Sequence, residues 1–394
     1  MTTPRKQNIL LVGSGGVGTV ASVALEHSRK AAVTSVLRSD YDKVIAHGFE
    51  INSVDHGNLK GWRPSHVVKS VADAVTGLEQ RWTENNNSEE NNNNDDASVF
   101  DYIVVAIKAL PDLVKTEDII APAMKPRQYK KGNNVKEEEE GSATQYPTVV
   151  LIQNGIGIEQ PIIDAFPGAV VLSGVSMIGS HNFGGRIEQY EHDRLVVGYY
   201  DNAKTPAAQQ EARARAFVDM YATTGVDCKY AEDVKQARWR KLVYNSTINT
   251  MCGLMQLDIG RCYLASIDTS VIVPAMHEIL ATAKAAGYEF PESLCETMLR
   301  ADEGLYYKPS MQIDIEKGNP IELEVILGNP LRIARSLGVP TPILSVVYNL
   351  LKGVQFRLLE GRGLLVAPEK GPMWTDPRVE GKLAFPSEFP MEKK

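Results

Sequence analysis

The sequence has little cysteine and no long hydrophobic run. Four cysteines occur in 394 residues and none forms a C-x-x-C pair, so neither a disulfide framework nor a zinc knuckle is expected. No stretch approaches the roughly 18 uncharged apolar residues that a membrane-spanning helix needs. The residues before Ile9 are polar and too few for a signal peptide. We therefore expect a cytoplasmic protein with reduced thiols and no membrane partner.

The sequence also lacks an excess of positive charge. It contains 42 lysines and arginines against 49 aspartates and glutamates, for a net charge of −7. A nucleic acid is therefore not expected as a partner. The histidines are scattered, and the one start of an H-E-x-x-H motif, at His277-Glu278, fails because residue 281 is alanine. No metal site is predicted.

The order of the sequence patterns predicts two domains. Short apolar segments at 9–12, 33–37, 100–107, 148–153 and 169–172 alternate with helical stretches, and 186–200 reads as an antiparallel finish. This order indicates an α/β fold with a Rossmann-type doubly wound sheet over residues 1–203. Helical patterns then predict an all-α domain over 204–362. We interpret 84–96 and 130–142 as low-complexity insertions, and 363–394 as an irregular tail.

A glycine-rich segment follows the first predicted strand and opens a helix. It consists of Gly13, Ser14, Gly15, Gly16, Val17 and Gly18. In a G-x-G-x-x-G motif in this context, the first glycine allows a tight turn, the second lets the backbone approach a pyrophosphate, and the third lets helix and strand pack closely. The helix N-terminus then faces the phosphates. The motif predicts dinucleotide binding, and the alternative is a glycine-rich turn without a ligand.

The residue after the second predicted strand indicates which dinucleotide is bound. Arg38 stands about 20 positions after the motif, where an acid would bind the ribose diol of NAD. A guanidinium can instead hold the 2′-phosphate of NADP, so NADPH/NADP+ is the expected cofactor. In the alternative interpretation, Arg38 pairs with Asp40 on the surface.

Polar side chains also follow two central strands. Lys108 comes after the strand at 100–107, and Asn154 comes after the strand at 148–153. Ligands of an open α/β sheet bind at the carboxyl edge of its strands, which makes both residues candidates for a site. A lysine can equally well only solvate a strand end, and asparagine is common in structural turns. Position alone leaves both interpretations open.

The helical half carries a second group of polar residues. Lys241, Asn245 and Asn249 have the spacing i, i+4, i+8, so they form one stripe on an otherwise apolar helix. Such a stripe either finds polar partners or faces solvent. Glu322 opens a later helix, where an acid also suits the helix dipole without any functional role.

Five segments together resemble the ketopantoate reductase (2-dehydropantoate 2-reductase) family. They are GSGGVG, IKA, QNGIG, WRKLVYNSTIN and SMQIDIEKGNPIEL, and they occur in the family's order. The resemblance implies an N-terminal Rossmann domain and an all-α C-terminal domain. It also implies NADPH-dependent reduction of a 2-oxo acid, with ketopantoate of pantothenate biosynthesis as the expected substrate.

The resemblance assigns roles to individual residues. It places Lys241 at the family's catalytic lysine and Glu322 at its active-site acid. The chemistry agrees, since hydride transfer to a ketone leaves an alkoxide that needs a cation and a proton, and a protonated Lys241 supplies both. The resemblance places substrate contacts at Asn245, Asn249 and Ser310, and cofactor contacts at Lys108, Asn154 and, by a looser match, Ser180. No metal is needed for this reaction.

One position departs from the family pattern. Where the family has a further substrate-contacting asparagine, this chain has Ile259. A less polar pocket would suit another 2-oxo acid, so a paralogous reductase is the alternative function. A non-catalytic NADP sensor, with the acidic insertions as its interaction surface, is less favoured because Lys241 and Glu322 are retained. The oligomeric state stays open, with a homodimer as one option.

Overall fold

A computed structural model of the chain describes residues 5–86, 99–126, 146–222 and 225–367. The predicted insertion at 130–142 lies outside the described residues. So do residues 87–96 of the predicted insertion at 84–96 and residues 368–394 of the predicted tail. The chain divides into two compact units. Of the described residues, the first takes in those up to Lys108, those from Thr116 to Gln153 and those from Ile158 to Lys235. The second takes in Ala109–Lys115, Asn154–Gly157 and the described residues from Gln236 to 367.

All twelve strands of the described residues lie in the first unit. They are β1 (Gln7–Val12), β2 (Ala31–Val36), β3 (Phe49–Ser53), β4 (Gly57–Trp62), β5 (His66–Val68), β6 (Tyr102–Val105), β7 (Thr148–Leu151), β8 (Val171–Met177), β9 (Ser180–Asn182), β10 (Arg186–Gln189), β11 (Arg194–Tyr200) and β12 (Asp227–Tyr230). The buried runs Ile9–Val12 of β1, Tyr102–Val105 of β6 and Val149–Leu151 of β7 are apolar without alternation, as expected of strands covered on both faces.

Eight of these strands form one sheet in the order β12-β11-β8-β7-β6-β1-β2-β5. The pairs are parallel except for β8 with β11, which confirms the predicted antiparallel finish for residues 194–200. The chain runs outward from β1 through β2 to β5, then returns beside β1 as β6 and runs outward the other way. This reversal creates a switch point at the carboxyl ends of β1 and β6, where ligands of such sheets bind. The predicted α/β class is confirmed.

A second, four-stranded sheet with the order β4-β3-β10-β9 was missed by the sequence analysis. β4 (GNLKGW) is mostly exposed and contains two glycines, so it carries neither an apolar alternation nor a high strand propensity. β10 was expected to join the antiparallel finish of the main sheet. It instead pairs in parallel with β3 and antiparallel with β9.

The helices of the described residues are distributed over both units. They are α1 (Gly16–His27), α2 (Tyr41–His47), α3 (Val71–Asn86), α4 (Thr116–Ile120), α5 (Gln160–Ala165), α6 (Ala207–Tyr221), α7 (Val234–Tyr244), α8 (Thr250–Met255), α9 (Ile259–Leu264), α10 (Val273–Ala285), α11 (Ser293–Leu299), α12 (Ser310–Glu316), α13 (Asn329–Ser336) and α14 (Pro342–Gly361). Within the ranges described above, none of these helices has both the length and the apolar character needed to cross a membrane.

The first unit extends past residue 203, where the sequence predicted the domain boundary. Helix α6 packs on β11 and β12, and its apolar residues Ala214 and Phe217 are buried in the same core as Ile9 and Leu11 of β1. β12 in turn pairs with β11. An amphipathic helix must bury its apolar face somewhere, and for α6 this surface is the sheet that precedes it in the chain.

The second unit is built from helices. Helix α8 packs against α12 and α14, while α10 packs against α13 and α14. Three π-helical turns occur in the described part of this unit, at Asn245–Asn249 between α7 and α8, at Asp268–Ile272 before α10 and at Glu324–Gly328 before α13. The first and the third contact each other, and Ser246 Oγ donates a hydrogen bond to the Ile326 carbonyl at 2.6 Å. π-helical turns are rare in proteins, and those that occur often lie at functional sites.

Candidate active site

The glycine-rich loop sits at the carboxyl end of β1, at the switch point of the main sheet. Gly13 has φ +105, and a Cβ there would lie 2.6 Å from the backbone nitrogen of Ile107. A Cβ on Gly18 would overlap the carbonyl oxygen of Gly13. Gly15 differs, since a Cβ there would meet nothing within 4 Å. Gly13 and Gly18 are therefore required by the fold, whereas Gly15 borders open space.

Helix α1 begins directly after Gly15. The helix has no acidic residue in its first turn and no side-chain cap at Gly15. The first N–H groups of a helix have no partner within it, so they form a ready anion site. Asn182 Nδ2 fixes the loop by donating to the Ser14 carbonyl at 3.1 Å. Val17 is half-buried and packs against the core of the sheet.

Ser180, which the resemblance placed at the cofactor by a looser match, lies directly against this loop. A Cβ on Gly16 would lie 2.5 Å from the Ser180 carbonyl oxygen and 2.8 Å from its Oγ. That Oγ is buried and has no hydrogen-bond partner among the described residues. A buried hydroxyl without a partner beside an anion site is a natural contact for a ligand.

Arg38 and Lys108 stand at the same edge of the sheet as the loop. Arg38 follows β2 and is exposed, and Lys108 follows β6 and is half-buried. Asp40, the alternative partner of Arg38, instead accepts hydrogen bonds from Asn182 Nδ2 at 2.8 Å and Ser39 Oγ at 3.3 Å. Both predicted cofactor residues therefore lie at the ligand-binding edge of the first unit.

Three predicted residues meet in the second unit. Lys241 Nζ donates to Asn154 Oδ1 at 2.8 Å, and Asn154 Nδ2 donates to Glu322 Oε2 at 2.9 Å. The second oxygen of Glu322 accepts from the Ala109 backbone N–H at 3.0 Å. Glu322 is 4% exposed, so its charge is held by these donors rather than by water. Asn154, predicted to contact the cofactor, thus bridges the two predicted catalytic residues.

The segment that carries Asn154 is locked onto the helices. Gly155 has φ +89, and a Cβ there would lie 2.5 Å from Val325, so no other residue fits. The Ile156 N–H donates to the Val325 carbonyl at 3.0 Å. Arg238 Nη1 donates to the Gly155 carbonyl at 2.9 Å from a buried position. These contacts hold the Asn154 amide in place.

Arg238 was not singled out by the sequence analysis. It lies one helical turn before Lys241 on α7, so both side chains leave the same face of that helix. The available signal was an arginine at i−3 from the candidate lysine on a helix with apolar neighbours. Arginine is rarely buried without a role in a polar network.

The pKa of Lys241 is lowered to about 8. Burial is the main cause, since it disfavours the charged form, and the nearby positive charge of Arg238 acts in the same direction. Glu322 opposes both effects. At neutral pH the amine is therefore mostly protonated but gives up its proton more readily than an exposed lysine.

Two of the predicted substrate residues also come together. Asn249 Oδ1 accepts from the Met311 N–H at 2.8 Å, and its Nδ2 donates to Ser310 Oγ at 3.3 Å. The amide thus caps the first turn of α12 and orients the serine hydroxyl, which lies at an exposed residue. Asn245 is buried in the same π-helical turn as Asn249. Ile259, the departure from the family pattern, is fully buried.

Comparison with known proteins agrees with this architecture. A glycine-rich Rossmann-type unit followed by a helical unit is typical of a class of nicotinamide-dependent oxidoreductases. The family model "Ketopantoate reductase PanE/ApbA" matches residues 9–202, and "Ketopantoate reductase PanE/ApbA C terminal" matches residues 233–355. The chain belongs to the ketopantoate reductase family.

Individual relatives support this assignment. An uncharacterized protein of Saccharomyces cerevisiae is 37% identical over 376 residues, covering 92% of this chain and 97% of the relative. The crystal structure of 2-dehydropantoate 2-reductase from Methylococcus capsulatus has a TM-score of 0.67 at 29% identity, covering 89% of this chain and 97% of that one. D-mandelate dehydrogenase, solved with NADH and anilino(oxo)acetate, shares the fold with a TM-score of 0.67 at 18% identity, covering 89% and 99%.

Proposed function

We propose that this protein is an NADPH-dependent reductase of a 2-oxo acid, with ketopantoate as its substrate. The observation that carries the proposal is the hydrogen-bonded chain from Lys241 through Asn154 to Glu322. It presents a proton donor whose pKa of about 8 suits neutral pH. Membership of the ketopantoate reductase family supports the reductase activity. The homodimer and the cytoplasmic location remain predictions from the sequence.

The first unit offers a suitable place for the nucleotide. The open space at Gly15, the uncapped N-terminus of α1 and the unpartnered Ser180 Oγ fit a pyrophosphate and its neighbouring groups. Arg38 and Lys108 would add positive charge for the phosphates. When bound, NADPH supplies the hydride that reduces the keto carbon.

The residues of the second unit would handle the charge and the proton. As the carbonyl oxygen becomes an alkoxide, the Lys241 ammonium stabilises it and transfers a proton to it, so that an N–H bond breaks and an O–H bond forms. Glu322 holds the ammonium in place through Asn154. Ser310 Oγ, which accepts from Asn249, keeps its own proton to donate to a substrate carboxylate or hydroxyl.

A direct assay tests this proposal and its alternative. Oxidation of NADPH is followed with ketopantoate and with a panel of straight-chain, branched and aromatic 2-oxo acids. We expect ketopantoate to give the highest kcat/KM. Ile259 motivates the alternative, a reductase of a less polar 2-oxo acid, and a better substrate elsewhere in the panel would favour it. No turnover of any substrate would contradict both.

Arg38 is expected to set the preference for NADPH. Replacing it by aspartate should raise the KM for NADPH by ~10–100-fold, because a hydrogen bond to a charged group contributes about 1.5–3 kcal/mol and the acid repels a 2′-phosphate. The KM for NADH should fall or stay unchanged. Steady-state kinetics with both cofactors checks this. Arg194→Asp, at an exposed arginine of the same unit, is the matched control, and an equal effect there would contradict a specific role.

A further inference from the structure

A cavity of about 280 Å³, partly open to solvent, lies within the second unit between α14 and α13, including the glycine just before α13. Each side contributes four residues with the helical spacing i, i+3, i+4, i+7. They are Gly328, Leu331, Arg332 and Arg335 on one side, and Ser345, Tyr348, Asn349 and Lys352 on the other. Facing stripes with this spacing usually interdigitate through apolar side chains. Among the lining residues Leu331 has the only aliphatic side chain, and Arg332, Arg335 and Asn349 are exposed, so the two helices present polar groups to the cavity and to solvent instead.

A buried carboxylate binds two of the side chains that line this cavity. Glu324 Oε2 accepts from Arg332 Nη1 at 2.8 Å, and Glu324 Oε1 accepts from the Tyr348 hydroxyl at 2.7 Å. A Cβ on Gly328 would lie 2.6 Å from Glu324 Oε2, so the glycine leaves room for this arrangement. Both oxygens of Glu324 are engaged by these two donors, which holds the guanidinium and the phenol in position before any ligand binds.

The charges around the cavity do not balance. Arg332, Arg335 and Lys352 carry three positive charges, whereas Glu324 supplies one negative charge. Lys352 Nζ lies 5.6 Å from the ring centroid of Tyr348 and, like Arg335, has no carboxylate within ion-pair distance in the described part of the chain. Like charges that converge on a concave surface raise the local potential and attract an anion.

We propose that this cavity binds the phosphate group of a small phosphorylated metabolite. A phosphate dianion would neutralise the two excess charges. Guanidinium groups match phosphate oxygens geometrically, while the Ser345 hydroxyl and the Asn349 amide add neutral donors. The volume corresponds to roughly nine waters at about 30 Å³ each, enough for a phosphate with a few carbon atoms. The site lies entirely in the second unit and does not depend on the proposed reductase activity.

Inorganic pyrophosphate is a suitable probe, titrated by isothermal calorimetry at fixed ionic strength into protein saturated with NADP+. We expect saturable 1:1 binding that weakens at least tenfold in the Arg335→Gln/Lys352→Gln double variant. Arg357→Gln, at an exposed residue of α14 outside the cavity, is the matched control and should bind like the wild type. Thermal unfolding checks that the variants fold, and Lys352→Gln alone replaces the double variant if it does not.

Two results would overturn the proposal. Absence of saturable binding to the wild type means that the cavity is not a phosphate site. Unchanged binding in a folded double variant, or equal weakening in Arg357→Gln, places the pyrophosphate elsewhere, either at the glycine-rich loop or on the general surface charge. Crystals soaked with the probe would show phosphate density beside Arg332 if the proposal is correct.

Discussion

Replacing Lys241 with methionine should lower kcat by ~10²–10⁴-fold, the usual contribution of general acid–base catalysis by one side chain. Methionine keeps most of the volume but provides neither the charge nor the proton. Lys241→Arg should be impaired as well, because a guanidinium does not give up its proton at neutral pH. Steady-state kinetics with saturating NADPH and 2-oxo acid measures the effect.

The matched control for this experiment is Arg240→Met. Arg240 is adjacent to Lys241 on α7 but exposed, so its loss removes the same charge without reaching the Asn154–Glu322 network. The KM for the 2-oxo acid should change less than kcat in Lys241→Met, since the amine acts mainly as the charge develops. A folded Lys241→Met variant with kcat within threefold of the wild type would remove this residue from the mechanism.

The main sheet could be predicted because its signal is local. The segments around Val104 and Val150 are continuously apolar, and strands buried on both faces have this appearance in any sequence. The second sheet has no continuously apolar segment of this kind. It depends on pairing between distant parts of the chain, as where Ile51 in β3 lies beside Ile187 in β10. Only tertiary structure brings such weak strands together, and no window of sequence contains both.

The residues of the candidate site could be predicted from the sequence, but the hydrogen bonds that connect them could not. Position and resemblance indicated Lys241, Asn154 and Glu322 separately. The bridge connects residues separated by 87 and 168 positions, and its geometry depends on the left-handed backbone at Gly155. The stripe of Lys241 and the helical asparagines was predicted on a regular helix. A π-helical turn instead follows Tyr244, and it contacts the π-helical turn at Glu324–Gly328, which lies far away in the chain.

Arg238 is the residue that the structure adds to this site. Its guanidinium is buried and holds the Gly155 carbonyl, which fixes the backbone next to Asn154. Its charge also contributes to the lowered pKa of Lys241. One side chain therefore influences both the position of the amide that orients the ammonium and the readiness of the ammonium to release its proton. It acts through its neighbours, so it is a positioning residue.

Replacing Arg238 with methionine should shift the pH profile of the enzyme. A general acid must be protonated, so kcat/KM of the wild type should fall as pH rises through the Lys241 pKa of about 8. Removing the neighbouring positive charge makes the ammonium more stable, which raises its pKa and moves this fall to higher pH. The part of the pH profile where activity falls is its basic limb. At pH values below this limb, we also expect kcat to drop by ~10–100-fold, as misplaced catalytic groups commonly cause.

Two variants separate these effects from simple destabilisation. Arg238→Lys keeps a positive charge but loses the fork that reaches Gly155, so it should retain the wild-type limb while kcat falls. Arg240→Met changes the exposed neighbour and should leave both quantities unchanged. A merely structural arginine would lower the unfolding temperature in both Arg238 variants without moving the limb. If the limb of a folded Arg238→Met variant stays at the wild-type pH, the charge of Arg238 does not act on the pKa of Lys241.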